Sequence, residues 1–285
     1  MNSKTSLRDK APRSTFRLRF VTSVAVMLTA ACAFGATVTT IAVPSQGMKK
    51  EVPATVILPD AYQKEGVRLP VLYLLHGYSD NNQGWVTRTP VKDLADQYGI
   101  IVVCPDAAYS SWYFDSPEDP AWRYETFVSK ELVTEIDKRY RTLPKRESRA
   151  IAGLSMGGHG AMFLAIRHPD TFSVAVCLSG GVDLRPFPDN WDIAKRLGTL
   201  KDHPERWTAN SVITLAETLP SGELAISIDC GVDDFFITVN RNLHQLLLTR
   251  KVPHDYTERP GSHGWEYWAN AIKYQMLFMS DHLAR

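Results

Sequence analysis

The segment that most limits what this chain can fold into is Gly153-Leu154-Ser155-Met156-Gly157-Gly158. It lies between a strand-like run, 149–154, and a helix-like run of small residues, 157–166. A serine with glycine two residues before and two after, at a strand-to-helix junction, predicts a sharp turn. There the hydroxyl projects out of the sheet and larger neighbouring side chains would collide. The helix that follows aims its amino end at the hydroxyl, which favours negative charge developing beside it. The pattern predicts a nucleophile at Ser155 and demands a strand–turn–helix context.

The rest of the chain supplies that context. Two extended segments, 37–43 and 52–58, flank a turn-rich stretch at 44–47. Runs at 71–75 and 100–104 are continuously apolar, as strands buried on both faces should be. Residues 124–140 carry Phe127, Leu132, Val133 and Ile136 at helical spacing. Strands are predicted at 149–154, 172–178, 225–228 and 256–259, and helices at 157–166, 239–248 and 265–282. Such alternation predicts an α/β fold with a mostly parallel central sheet and helices on both faces. The opening pair without a helix between them predicts an antiparallel edge. Segment 180–222, with Pro186, Pro188, Trp191, Trp207 and Pro220, is expected to form an insertion or partial lid over the carboxyl edge of the sheet.

A serine hydroxyl is a weak nucleophile. It needs a histidine base, and the base needs a carboxylate to orient it. In strand–turn–helix serine sites the chain order is serine, acid, histidine. His263 lies in Pro260-Gly261-Ser262-His263-Gly264-Trp265, a loop between the last strand and the last helix, where a loop-borne base belongs. His254 precedes that strand and falls at its other end. The acid should follow the penultimate strand, where Asp229, Asp233 and Asp234 are available. Asp229 is still in the strand and is expected to be packed. Asp234 is favoured over Asp233 by its spacing from Gly231, and the other of the two is expected to cap the following helix. An oxyanion hole needs two main-chain N–H donors. Met156 supplies one, and Tyr78, after His76-Gly77, is the candidate second. His76 is then structural.

Composition bounds the rest. The chain has 285 residues, 44% hydrophobic and 22% charged, which excludes a disordered, collagen-like or multi-span membrane protein. A formal net charge of +1 gives no sign of a nucleic-acid partner. The charge is uneven, however. Six of the basic residues, Lys4, Arg8, Lys10, Arg13, Arg17 and Arg19, precede the uncharged run 20–33, which ends Ala31-Cys32-Ala33. This is the pattern of a secretory signal at residues 1–33, leaving one domain over 34–285 that works in a periplasm or outside the cell. Three cysteines then remain, Cys104, Cys177 and Cys230, expected as core residues; a Cys177–Cys230 bridge is the alternative. The histidines show no i, i+4 pairing, so no metal or other cofactor is expected.

Taken together, Leu74-Leu75-His76-Gly77, Gly153–Ala161, Asp229-x-Gly231-x-x-Asp234-x-Phe236 and Gly261-Ser262-His263-x-Trp265-x-x-Trp268 resemble the "Putative esterase" family of α/β-hydrolases. That family includes esterase D (S-formylglutathione hydrolase), tributyrin-type esterases, feruloyl esterase modules and mycolyltransferases. The resemblance spans nearly the whole chain from about residue 38. It implies an α/β-hydrolase fold and a serine esterase with Ser155 as nucleophile, Asp234 as acid and His263 as base. It also implies that Tyr78 and Met156 form the oxyanion hole. The expected substrate is a small or polysaccharide-linked ester, such as an acetyl or feruloyl ester. Trp112, Tyr113 and Trp265 are candidate substrate-binding residues, with packing of the first two onto the core as the alternative. Other readings of the same triad are an acyltransferase of the mycolyltransferase type and an S-formylglutathione hydrolase. A peptidase and a catalytically inactive binding module complete the set.

Overall fold

Continuous apolar runs form the centre of the sheet, because a strand covered on both faces has no solvent side to mark with polar residues. The computed structural model describes residues 1–2 and 35–285. The signal predicted at 1–33, with Cys32, lies outside the described residues apart from Met1 and Asn2. Eight strands, β1 (Thr37–Ser45), β2 (Lys50–Leu58), β3 (Val71–Leu75), β4 (Ile101–Pro105), β5 (Arg149–Leu154), β6 (Val174–Leu178), β7 (Ala225–Gly231) and β8 (Asp255–Arg259), lie in the order β1-β2-β4-β3-β5-β6-β7-β8. The pairs β1–β2 and β2–β4 are antiparallel, and the six strands from β4 to β8 are parallel. The α/β-hydrolase arrangement and its antiparallel edge are as the sequence predicts.

Alternation along the strands divides the core. Tyr73, Leu75, Ile151, Cys177 and Ile228 face one layer, with α4 (Leu132–Arg139), α5 (Met156–Arg167) and α9 (Ile237–Thr249). Leu72, Leu74, Ala152, Leu154 and Val176 face the other, with α2 (Val91–Tyr98) and α10 (Trp265–His282). The helix expected at 124–140 is interrupted: α3 (Tyr124–Thr126) passes through a π-helical turn, Phe127–Glu131, before α4. Segment 180–222 holds three short helices, α6 (Ile193–Leu197), α7 (Pro204–Ala209) and α8 (Val212–Ala216), which the prolines obscure in the sequence. Two further helices escaped the sequence pattern, the short α1 (Gly84–Arg88) and α2. Cys104, Cys177 and Cys230 are buried free thiols, so the alternative of a Cys177–Cys230 bridge is not realised.

The register sets the site. Leu154, Leu178, Asp229 and Thr257 form one cross-strand row at the carboxyl edge of the sheet. Ser155 stands one residue beyond that row, and the loops after β7 and β8 leave the same edge beside it.

Candidate active site

The turn between β5 and α5 is as tight as its glycines imply. Ser155 has φ 55° and ψ −117°, a conformation that costs a non-glycine residue roughly 1–3 kcal/mol. A β-carbon on Gly153 would overlap the backbone of Gly157, and one on Gly157 would overlap the carbonyl oxygens of Leu75 and His76. Main-chain bonds hold the strained residue: Ser155 N–H donates to Leu178 O at 2.9 Å, and His159 N–H to Ser155 O at 3.0 Å.

The loop after β7 brings in a carboxylate. Asp234 is buried. Its Oδ2 accepts a 2.8 Å hydrogen bond from His263 Nδ1, and its Oδ1 accepts the Phe236 N–H at 2.8 Å. Both oxygens are thus aimed, and Nδ1–H on the imidazole leaves Nε2 as the free acceptor. Asp233 is exposed. No side-chain cap bond is made at the start of α9, so the capping expected of the second aspartate is not observed. The first free N–H there, that of Phe236, goes to Asp234 itself. Asp229 is fully buried in a separate network with Arg259, Tyr267 and Gln275.

His263 is enclosed by rings: Phe235 lies 4.1 Å away centroid to centroid, Trp268 4.9 Å and Phe236 5.5 Å. It shares a cleft of about 430 Å³ with Ser155, Gly77, Tyr78, Trp191, Phe235, Trp265 and Arg88. The Arg88 guanidinium sits 5.0 Å from the centroid of the Trp265 ring. Among the described residues, neither Tyr78 N–H nor Met156 N–H has a hydrogen-bond acceptor. His76 is structural: its Nδ1–H donates to Gly77 O at 2.7 Å and its Nε2 accepts the Ala107 N–H at 2.8 Å. Burial lowers its pKa and keeps it neutral. Burial, Asp192 and Tyr109 push the Tyr78 phenol up to about 12.

Of the three candidate substrate residues, only Trp265 lines the cleft. Trp112 and Tyr113 are buried. Trp112 Nε1 donates to Trp191 O at 3.0 Å, and Tyr113 OH donates to His76 O at 2.9 Å. They brace the walls of the site from behind, so the structure favours packing over direct contact for both. Phe235 and Arg88 were missed, and Trp268 entered only as part of the family motif, with no role given to it. Phe235 carried one legible signal, a large apolar residue directly after the favoured acid on a loop. Among the described residues no group of three or more His, Cys, Asp or Glu is arranged to hold a metal ion.

Comparison with known proteins places these features in a family. The profile described as "Putative esterase" matches residues 45–279. An acetyl esterase of Caldicellulosiruptor saccharolyticus is 27% identical over 261 residues, spanning 83% of this chain and 95% of the relative. A diacylglycerol acyltransferase/mycolyltransferase of Mycobacterium avium is 33% identical over 150 residues, 50% of this chain and 43% of the relative. Among solved structures, a ferulic acid esterase superposes with a TM-score of 0.76 at 33% identity, covering 88% of this chain and all of the other.

Proposed function

The chain belongs to the esterase family of α/β-hydrolases and is a serine ester hydrolase, and from that premise we propose that Ser155, Asp234 and His263 are its catalytic triad. The observation that carries this reading is the 2.8 Å bond from His263 to buried Asp234, at the wall of the cleft that also holds Ser155 at φ 55°. His263 Nε2 takes the Ser155 proton as the hydroxyl attacks an ester carbonyl. Asp234 holds the imidazole in the tautomer that leaves Nε2 free and stabilises the imidazolium. The N–H groups of Tyr78 and Met156 receive the oxyanion, each worth about 3 kcal/mol in the transition state. The imidazolium then protonates the leaving alcohol, and water releases the acyl group from Ser155 through the same base.

The substrates are short-acyl or aromatic-acyl esters of carbohydrates. Support comes from an open cleft walled by Trp191, Phe235 and Trp265, and from likeness to an acetyl esterase and a ferulic acid esterase. Residues 1–33 are a signal that exports the enzyme, leaving 34–285 as the working domain. No helix among the described residues is long and apolar enough to cross a membrane.

The test is hydrolysis of p-nitrophenyl acetate, butyrate and octanoate beside methyl ferulate, with Ser155→Ala as control. Activity that disappears in the variant supports the triad, and the chain-length profile sizes the acyl site. Folded protein with no activity on any ester, but with acyl transfer to an added sugar alcohol, would move the assignment to the acyltransferase reading.

A further inference from the structure

The loop that carries His263 lies near the surface. None of residues 260–266 is buried. The active-site cleft lies on one side, and a second cavity of about 460 Å³, lined by Pro260, Gly261, Ser262, Gly264 and Glu266, lies against the same loop. The strand that enters the loop, β8, is the edge of the sheet and pairs only with β7. Phe235, Phe236, Trp268 and the Asp234 carboxylate hold the imidazole ring itself, while the main chain that presents it depends on how the two ends of the loop are anchored.

Both ends reach one carboxylate. Arg259, four residues before His263, donates a guanidinium N–H to Asp229 Oδ2. Tyr267, four residues after it, donates its hydroxyl to Asp229 Oδ1 at 2.5 Å. Gln275, two turns further along α10, donates Nε2–H to Asp229 Oδ2 at 2.9 Å. All three partners are donors, an arrangement that an ionised carboxylate satisfies and an amide does not. Asp229 is fully buried, and its own main chain is held in the sheet, with its carbonyl accepting the Ser179 N–H at 2.8 Å. The anchor therefore lies within the sheet, and two of the groups it ties, Arg259 and Tyr267, flank the loop on either side.

We propose that Asp229 is a positioning residue for the base: by binding Arg259 and Tyr267 at once it fixes the span of the loop between them, and with it the placement of His263 toward Ser155. The inference rests on His263 being the base. Misplacing a catalytic group by about 1 Å can lower a rate roughly 100-fold, so a buried network that touches no substrate can act on turnover.

The experiment compares Asp229→Asn and Tyr267→Phe with wild type, and uses Asp137→Asn as the control. Asp137 makes an ion pair with Arg149, 2.5 Å, at the opposite edge of the sheet. Melting temperature, kcat, KM and the rate at which a fluorophosphonate probe labels Ser155 are read on each. The labelling forms a P–O bond to Ser155, releases fluoride and passes the serine proton to His263, so it reports base placement without substrate recognition. Asp229→Asn is expected to lower kcat and the labelling rate together, about 10- to 100-fold, with KM within about twofold. Tyr267→Phe should shift both in the same direction by less. Asp137→Asn should lower the melting temperature alone. If Asp229→Asn melts lower yet keeps kcat and labelling within twofold of wild type, Asp229 is only a staple between β8 and α10 and the proposal is overturned. Should that variant not fold, Tyr267→Phe decides on the same two readouts. Failure of the triad itself would show separately, as activity surviving in Ser155→Ala or His263→Ala.

Discussion

At the carboxyl edge of the sheet the backbone is bent into unusual conformations, while at the amino edge it is nearly regular. Ten non-glycine residues among those described have positive φ. Eight of them, Ser79, Ala108, Trp112, Tyr113, Ser155, Ser179, Trp191 and Asp192, lie in connections that leave the carboxyl ends of β3, β4, β5 and β6. The amino edge is held instead by ordinary polar pairs. Arg149 at the start of β5 binds Asp137 at 2.5 Å, Thr142 Oγ1 donates to the same carboxylate at 2.6 Å, and Ser148 Oγ donates to Ala284 O at 2.7 Å. Strain persists only where the surrounding structure over-determines it, and it gathers where a side chain must be held for chemistry. One edge of this sheet is therefore a scaffold. The other is a set of loops forced into place against it.

The sharpest way to break this contrast is to remove chemistry at one edge without touching stability. Ser155→Ala should lower kcat by at least ~10⁴-fold, with circular dichroism and melting unchanged. Asp234→Asn keeps the shape of the acid but permits the wrong imidazole tautomer, and should cost ~10⁴-fold in kcat. If either variant kept a tenth of wild-type turnover, the carboxyl edge would lose its claim to be the catalytic one. A smaller effect is expected at the cleft wall. Trp191 is stacked on Phe235, with ring centroids 5.5 Å apart and planes 21° apart. Trp191→Ala should raise KM for an aromatic-acyl ester roughly 10-fold while altering kcat little, because such a wall binds ground state and transition state alike. A fall in kcat with KM unchanged would instead make Trp191 a support for Phe235 and His263.

The amino edge should respond in the opposite sense. Asp137→Asn leaves Arg149 without its partner, and both side chains are mostly buried. A loss of about 2 kcal/mol, discounted from the 3–5 of fully buried pairs, corresponds to a drop of several degrees in melting temperature. Turnover measured well below the melting point should not change.

The same division explains what the sequence revealed. The bounds of β3, β5 and α10 were legible because apolar runs and helical periodicity are local patterns that burial against a sheet enforces. Ser155 was legible because its turn excludes side chains at Gly153 and Gly157. The order serine, acid, histidine followed from topology, and the bond between Asp234 and His263 matches it. Which aromatic residues on loops face the cleft was scarcely legible. Trp112 and Phe235 both follow strands at the same edge, yet Trp112, at φ 51°, is buried while Phe235 is about half exposed over His263. Nothing in residue type distinguishes those fates. They depend on which loop lies outermost, a property of the assembled edge. The short helices α1 and α6 to α8 were missed for a related reason: helices of five or six residues take their stability from packing, not from a pattern long enough to read.

The smallest predicted effect concerns acid. His159, in the first turns of α5, is fully buried against Phe114, Phe163 and Trp112. Its Nδ1–H donates to Gly181 O at 3.2 Å, and its Nε2 has no partner. A proton added at Nε2 would be buried against carbon, and this desolvation pushes the pKa down to about 3 from an ordinary 6.5. Between those values the unfolded chain binds the proton and the folded chain does not, so stability falls as the pH drops below 6.5. At pH 5 the penalty is about 2 kcal/mol relative to pH 7.5. His159→Phe removes the titrating group and suits the aromatic surroundings. Its melting temperature should therefore fall less than that of wild type between pH 7.5 and pH 5. Some acid sensitivity should remain, since His76, whose pKa is also lowered by burial at this edge, still titrates. A variant with an undiminished acid drop would show that the loss arises elsewhere than at His159.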